Sequence, residues 1–170
     1  MESLQVARTL IAKHGNDMIL SCRSLNQLTY LAQVESLRIY NKPLFSDPIQ
    51  AWSWGEAEPL VYRAFSKYGL KLIPQSEGRI LEDGLLNAVI DRVYKHYGFM
   101  TPFDLVGYSS RSGSAWSNTY NPDMVREITI ADIKASKDVA DYPDRAHSLG
   151  ESLRAVNARF ANTLRLLADA

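Results

Sequence analysis

The sequence predicts a mainly α fold: a compact multi-helix domain with a short strand or hairpin near residues 49–54 and a long C-terminal helix. Three observations carry this. Apolar residues recur at helical spacing between recognisable caps, only one stretch alternates with period two, and the last segment advances its large apolar residues by threes and fours.

Leu4, Ala7, Leu10 and Ile11 form one stripe, and Gly15-Asn16-Asp17 ends it with residues that tolerate turn geometry, which predicts a short peripheral helix. Ser24 and Gln27 have capping-box spacing. Behind them Leu25, Leu28, Tyr30, Leu31, Val34 and Leu37 surround the axis, the pattern of a central helix buried on all sides. Two prolines between Asn41 and Pro48 read as a loop. Ile49, Ala51 and Ser53 alternate with Gln50, Trp52 and Trp54, which predicts a strand with both tryptophans on one face. Pro59 suits the first turn of a helix that keeps Leu60, Val61, Ala64, Phe65 and Tyr68 on one side until Gly69.

Residues 70–81 look irregular. Leu86, Val89, Ile90, Val93 and Tyr97 mark another helix closed by Gly98, and Thr101-Pro-Phe-Asp104 opens the next, since hydroxyl, proline and acid each favour a helix start. Ser109 to Pro122 is rich in Ser, Gly, Asn and Pro and reads as a loop that docks through Trp116 and Tyr120. Thr129-Ile-Ala-Asp132 repeats the cap signature. Leu149, Leu153, Val156, Phe160, Leu164 and Leu167 advance by 4, 3, 4, 4 and 3, a continuous apolar seam flanked by Arg145, Arg154, Arg159 and Arg165. The pattern divides the chain into a domain over 1–142 and a helix over 143–170, packed on it or used for oligomer or partner contact.

Composition narrows the function. With 170 residues and 46% apolar content the chain sustains one core, and 19 basic against 19 acidic side chains provide no overall field towards nucleic acid or membrane. One cysteine, Cys22, excludes an internal disulfide and fits the cytoplasm. No apolar run reaches the roughly 20 residues that span a bilayer.

The search for chemistry finds no catalytic set, no metal site and no cofactor motif. His14, His96 and His147 lack zinc-helix spacing, and Cys22 beside Arg23 lacks a histidine partner. Glu56, Glu58, Glu82, Asp83, Asp138, Asp141 and Asp144 read as helix starts and solvated loops. The glycine of Arg111-Ser-Gly-Ser suits a turn rather than a phosphate. The expectation is a protein that is not an enzyme. What stands out is aromatic density: Trp52, Trp54, Tyr62, Phe65 and Tyr68 fall within seventeen residues. Packing accounts for Phe65 and Tyr68, whereas the tryptophans suit either packing or contact with a partner.

Four blocks then follow in order: Leu25-Asn-Gln-Leu-Thr-Tyr-Leu-Ala-Gln33, Asn41-Lys-Pro-Leu-Phe45, Pro48-Ile-Gln-Ala-Trp-Ser-Trp-Gly55 and Pro59-Leu-Val-Tyr-Arg-Ala-Phe-Ser-Lys-Tyr-Gly69. In order and spacing they resemble the Panacea domain, a family of phage-associated and bacterial antitoxins. Gly113-Ser-Ala-Trp116 and Ile130-Ala-Asp-Ile133 extend the resemblance to residues 4–138. Four positions depart from the family: Glu56-Ala57 replaces a usual Pro-Val, Ser110 a common histidine and Ala115 a proline.

The resemblance implies a helical antitoxin that binds the protein toxin encoded beside it. Its alternatives are a proteolytic adaptor that delivers a bound protein to a protease and, more weakly, a DNA-binding autoregulator, although the neutral charge argues against nucleic acid. A homodimer through the C-terminal seam is a further option. The residues expected at the partner surface are Trp52, Trp54, Tyr62, Trp116, Leu153, Phe160 and Leu164.

Overall fold

A computed structural model of the chain describes residues 1–160. Its centre is α2 (Cys22–Tyr40), which touches α1 (Ser3–His14), α3 (Pro59–Phe65), α4 (Gly84–Tyr97), α5 (Pro102–Ser109) and α8 (Lys137–Ala140). The mainly helical prediction holds. Every residue of α2 from Ser24 to Leu37 is buried, as the all-round apolar pattern requires. Most of its polar groups find partners inside: Asn26 and Thr29 donate to carbonyls one turn back, and Gln33 holds the backbone of Leu44 and Phe45, while the buried Gln27 Oε1 accepts no bond.

The cap of α2 lies three residues earlier than predicted. Ser21 and Ser24 form the box, and Gln27 instead turns into the interior. Asn41 ends the helix in the left-handed region (φ 53°).

The expectation of a peripheral first helix is also corrected, because Val6, Ala7, Leu10 and Ile11 of α1 are fully buried. The irregular stretch 70–81 lies across this helix, with the Arg79 N–H donating to the Arg8 carbonyl and Gly78 pressed on the Ala12 backbone. A stripe read from α1 alone does not reveal that distant cover.

The strand prediction resolves into a hairpin. β1 (Gln50–Trp52) pairs antiparallel with β2 (Gly55–Ala57), and β3 (Arg126–Glu127) adds to its other edge in the order β2-β1-β3. Trp54 sits in the turn rather than on the strand. Within the segment read as a loop, Ser114 caps a short helix, α6 (Ala115–Thr119). The capping boxes at Thr101 and Thr129 form as predicted and start α5 and α7 (Ile130–Ala135).

Two buried ionic knots tie the segment after α7 to the centre. Glu35 is paired with Arg38 and with Arg92 (2.8 Å), and Arg38 also donates to the carbonyls of Val139 and Asp141 (2.8 Å each). Asp138 accepts from the Tyr30 hydroxyl (2.6 Å) and the Ala115 N–H (2.9 Å). Arg111 Nη2 lies 2.7 Å from its other oxygen, a charge contact out of line for a hydrogen bond.

Candidate partner-binding surface

The hairpin turn is set by its neighbours. Ile49 and Ala51 point into the core and fix the register, Glu56 shares their face opposite Ala51, and this leaves Trp52 on the other face. Gly55 adopts φ +133°, and a Cβ there would meet the Gln27 amide at 3.1 Å, so only glycine fits the corner. The turn then folds Trp54 back: its ring centroid lies 5.3 Å from that of Trp52, edge to face, and 6.1 Å from Tyr62. Trp52 and Tyr62 close the triangle at 4.8 Å.

These three rings are half-buried or exposed, whereas Phe65 on the other side of α3 is fully buried. Packing therefore uses Phe65, and the Trp52, Trp54 and Tyr62 cluster stands outside the core. Trp116 joins it from α6, donating its indole N–H to the Trp52 carbonyl (2.7 Å) and stacking on Tyr120 at 4.7 Å. One side of Trp116 packs on the core, as expected of a docked loop.

Trp54 separates two clefts. One, of about 340 Å³, runs between Trp52 and Trp54 on one wall and Tyr120, Pro122, Met124 and Val125 on the other. The second, of about 390 Å³, is lined by Trp54, Gly55, Trp116, Val106, Ser109 and Arg23. The Arg23 guanidinium is exposed and lies 5.5 Å from the Trp54 ring, a cation on an aromatic face at the rim. Large rings with apolar walls and a basic edge suit the anchor side chains of another protein.

Behind the second cleft the interior is polar. Ser109 Oγ donates to Glu56 (2.6 Å) and accepts from Gln27 (3.0 Å). Burial pushes the Glu56 carboxyl up to about 7, with nearby Asp138 adding to the rise against the Ser109 bond. Glu58, whose carboxylate oxygens have no partner, is held well above the usual range by burial and then by Glu56. Glu58 and Asp138 do stand at helix starts, those of α3 and α8, but neither they nor Glu56 is solvated: all three are buried. Each is covered by elements distant in sequence.

The predicted C-terminal seam forms a separate surface on α9 (Leu149–Arg159). Leu149, Leu153, Val156 and Phe160 are 42%, 49%, 52% and 46% exposed, and Leu153 lines a cleft with Ile19, Phe99 and Met100. Leu164 and Leu167 lie outside the described residues.

Comparison of the sequence with known proteins adds an independent finding. Over 129 residues, 68% of this chain and 69% of the relative, the sequence is 30% identical to antitoxin SocA of Caulobacter vibrioides. The chain belongs to the SocA-like antitoxin family. No family model and no solved structure matches it.

In this SocA-like chain the lone thiol, Cys22, is buried, and burial raises its pKa, which opposes a reactive thiolate. The histidines are dispersed: His14 stacks on Tyr94, His96 on Tyr142, and His147 contacts Asp144. Among the described residues no helix is long and apolar enough to cross a membrane. Sequence reasoning missed Arg23, Met124 and Val125 at the aromatic surface. The adjacent apolar pair Met124-Val125 directly after a turn was the available signal.

Proposed function

We propose that this SocA-like chain is an antitoxin of the Panacea type, and that it neutralises a cognate protein toxin in the cytoplasm by covering it through the Trp54 face, without chemistry of its own. The observation that carries the reading is the Trp52, Trp54 and Tyr62 cluster, placed outside the core between two clefts in a chain of antitoxin kinship. Central aromatic anchors supply most of the energy in such interfaces. Arg23 and the Met124-Val125 wall give the face the mixed rim that a protein partner needs.

Co-expression with the neighbouring gene tests this. That gene alone should arrest growth, and this chain should restore it. W54A should weaken toxin binding by roughly 30-fold or more, about 2 kcal/mol, while the melting temperature stays close to wild type because Trp54 lies outside the core. A neighbouring product that is harmless, or a W54A variant that binds as tightly as the parent, would sink the proposal. Masking also predicts that the toxin persists within the complex after protein synthesis is blocked; its disappearance would assign delivery to a protease instead.

A further inference from the structure

The second cleft beside Trp54, lined by Gly55, Val106, Ser109 and Trp116, has an unusual interior behind it. The one hydrogen of Ser109 Oγ is committed to Glu56 (2.6 Å), so the hydroxyl can offer nothing further except a lone pair. Gln27, 1% exposed, donates to the same oxygen (3.0 Å), and its end comes up under Gly55, where a Cβ would meet the amide nitrogen at 3.1 Å. Gly55 and Ser109 both line the cleft, which sets this amide at its floor. Its Oε1 accepts no bond.

Acceptors therefore gather beneath the cleft in excess of donors. Both carboxylate oxygens of Glu58 are buried and unpartnered, and Glu56 has a neutral hydroxyl but no ion pair among the described residues. The internal cation Arg111 is held by Asp138 at 2.7 Å, and Arg23 stands outside on the Trp54 ring. Buried acids without a counter-ion are costly to a fold, and such groups concentrate where proteins bind or react. What the arrangement lacks is a cation carrying several N–H donors.

We propose that this cleft takes a lysine side chain of the partner, its methylene stem against Trp54 and Trp116 and its ammonium at Ser109 and Gln27, with Glu56 one hydroxyl further in. The proposal rests on the reading of the Trp54 face as the toxin-binding surface and names the anchor that surface accepts. An ammonium brings three donors and no acceptor, the complement of this floor, and the aromatic walls favour a cation as well. Arg23 opposes it. Its guanidinium is exposed and screened by water, however, whereas Glu56 acts through a dry interior. An anion would gain from Arg23 at the rim and then meet only acceptors. Of the other charges near Glu56, Asp138 and Arg111 offset each other and Glu58 adds to the attraction when ionised.

Titration of the full chain with n-butylammonium chloride at constant ionic strength tests this without any toxin. The indole N–H resonances of Trp54 and Trp116 should shift together and saturate at pH 8. Affinity should fall about tenfold from pH 8 to pH 6, because Glu56, which titrates near 7, takes up its proton, and E56Q should cause a similar loss at pH 8. Sodium butyrate, with a similar stem and the opposite charge, should not saturate. Shifts that never saturate, butyrate that binds as well as the amine, an affinity that is flat with pH, or E56Q that binds like the parent would each overturn the inference. In the toxin complex, W54A and E56Q separate the two readings. Binding weakened by W54A and untouched by E56Q keeps the Trp54 face and removes the lysine; binding untouched by W54A removes both.

Discussion

D138A is expected to destabilise the fold by about 3–5 kcal/mol, the range for removing one member of a buried ionic cluster. The carboxylate accepts from the hydroxyl of Tyr30 and the N–H of Ala115, both fully buried, and lies against Arg111. Truncation leaves two buried donors without a partner and the Arg111 cation, still held by Tyr108, without its counter-ion, and the unmade bonds cost more than the original ones contribute. Single domains hold about 5–15 kcal/mol in all, so the variant should sit near the edge of folding. Y30F is the control: it removes one donor and leaves Asp138 with Ala115 and Arg111, at an expected cost of about 1 kcal/mol. Urea denaturation of both reads the difference directly. A D138A loss no larger than that of Y30F would show that the cluster contributes little.

The second large effect is a fall in stability as pH rises. Glu56 titrates near 7 in the folded chain and near 4.5 in the unfolded one. Below pH 4.5 it is protonated in both states and imposes no penalty. Between 4.5 and 7 the unfolded state releases the proton while the folded state keeps it, so stability drops by about 1.4 kcal/mol per pH unit, about 3 kcal/mol across the window. Glu58, which burial also raises, adds to the fall. His14 and His96, whose pKa values burial lowers, act in the opposite sense as pH falls through their range, so the parent curve alone does not isolate the carboxyl. E56Q does, since both histidines remain. The amide still accepts the Ser109 hydroxyl, and the variant should match the parent near pH 4 and exceed it by about 3 kcal/mol at pH 8. Parallel curves for the two proteins would refute the assignment.

The contrast between these acids and the rest of the chain shows what was legible in the sequence. Helices α3, α4, α5 and α7 carry their boundaries locally, in Pro59, Asp83 and the Thr101 and Thr129 boxes, and those starts could be read directly or nearly so. Burial of a carboxyl is not local. Glu56 meets Ser109 across 53 residues and Asp138 meets Tyr30 across 108, while at the level of residue type each looks like an ordinary helix or loop acid. The same holds for α1, whose outer face is covered by residues 70–81. The aromatic surface was partly legible. Trp52, Trp54 and Tyr62 do converge, although a turn brings Trp54 back where a continuous strand was expected, and the Met124-Val125 wall arrives through β3 from the far end of the domain.

The attachment of α9 has an evolutionary consequence. Because Asp104 and the close approach of Gly150 hold the first turn of α9, the exposed side chains that follow contribute little to the body's stability, apart from Leu153, Arg154 and Asn157 at the edge of its cleft. Substitutions there escape the selection that folding imposes on the core. The outward side chains of α9 can then diverge between descendants at a pace set by function alone, while the domain that carries the Trp54 face is left undisturbed.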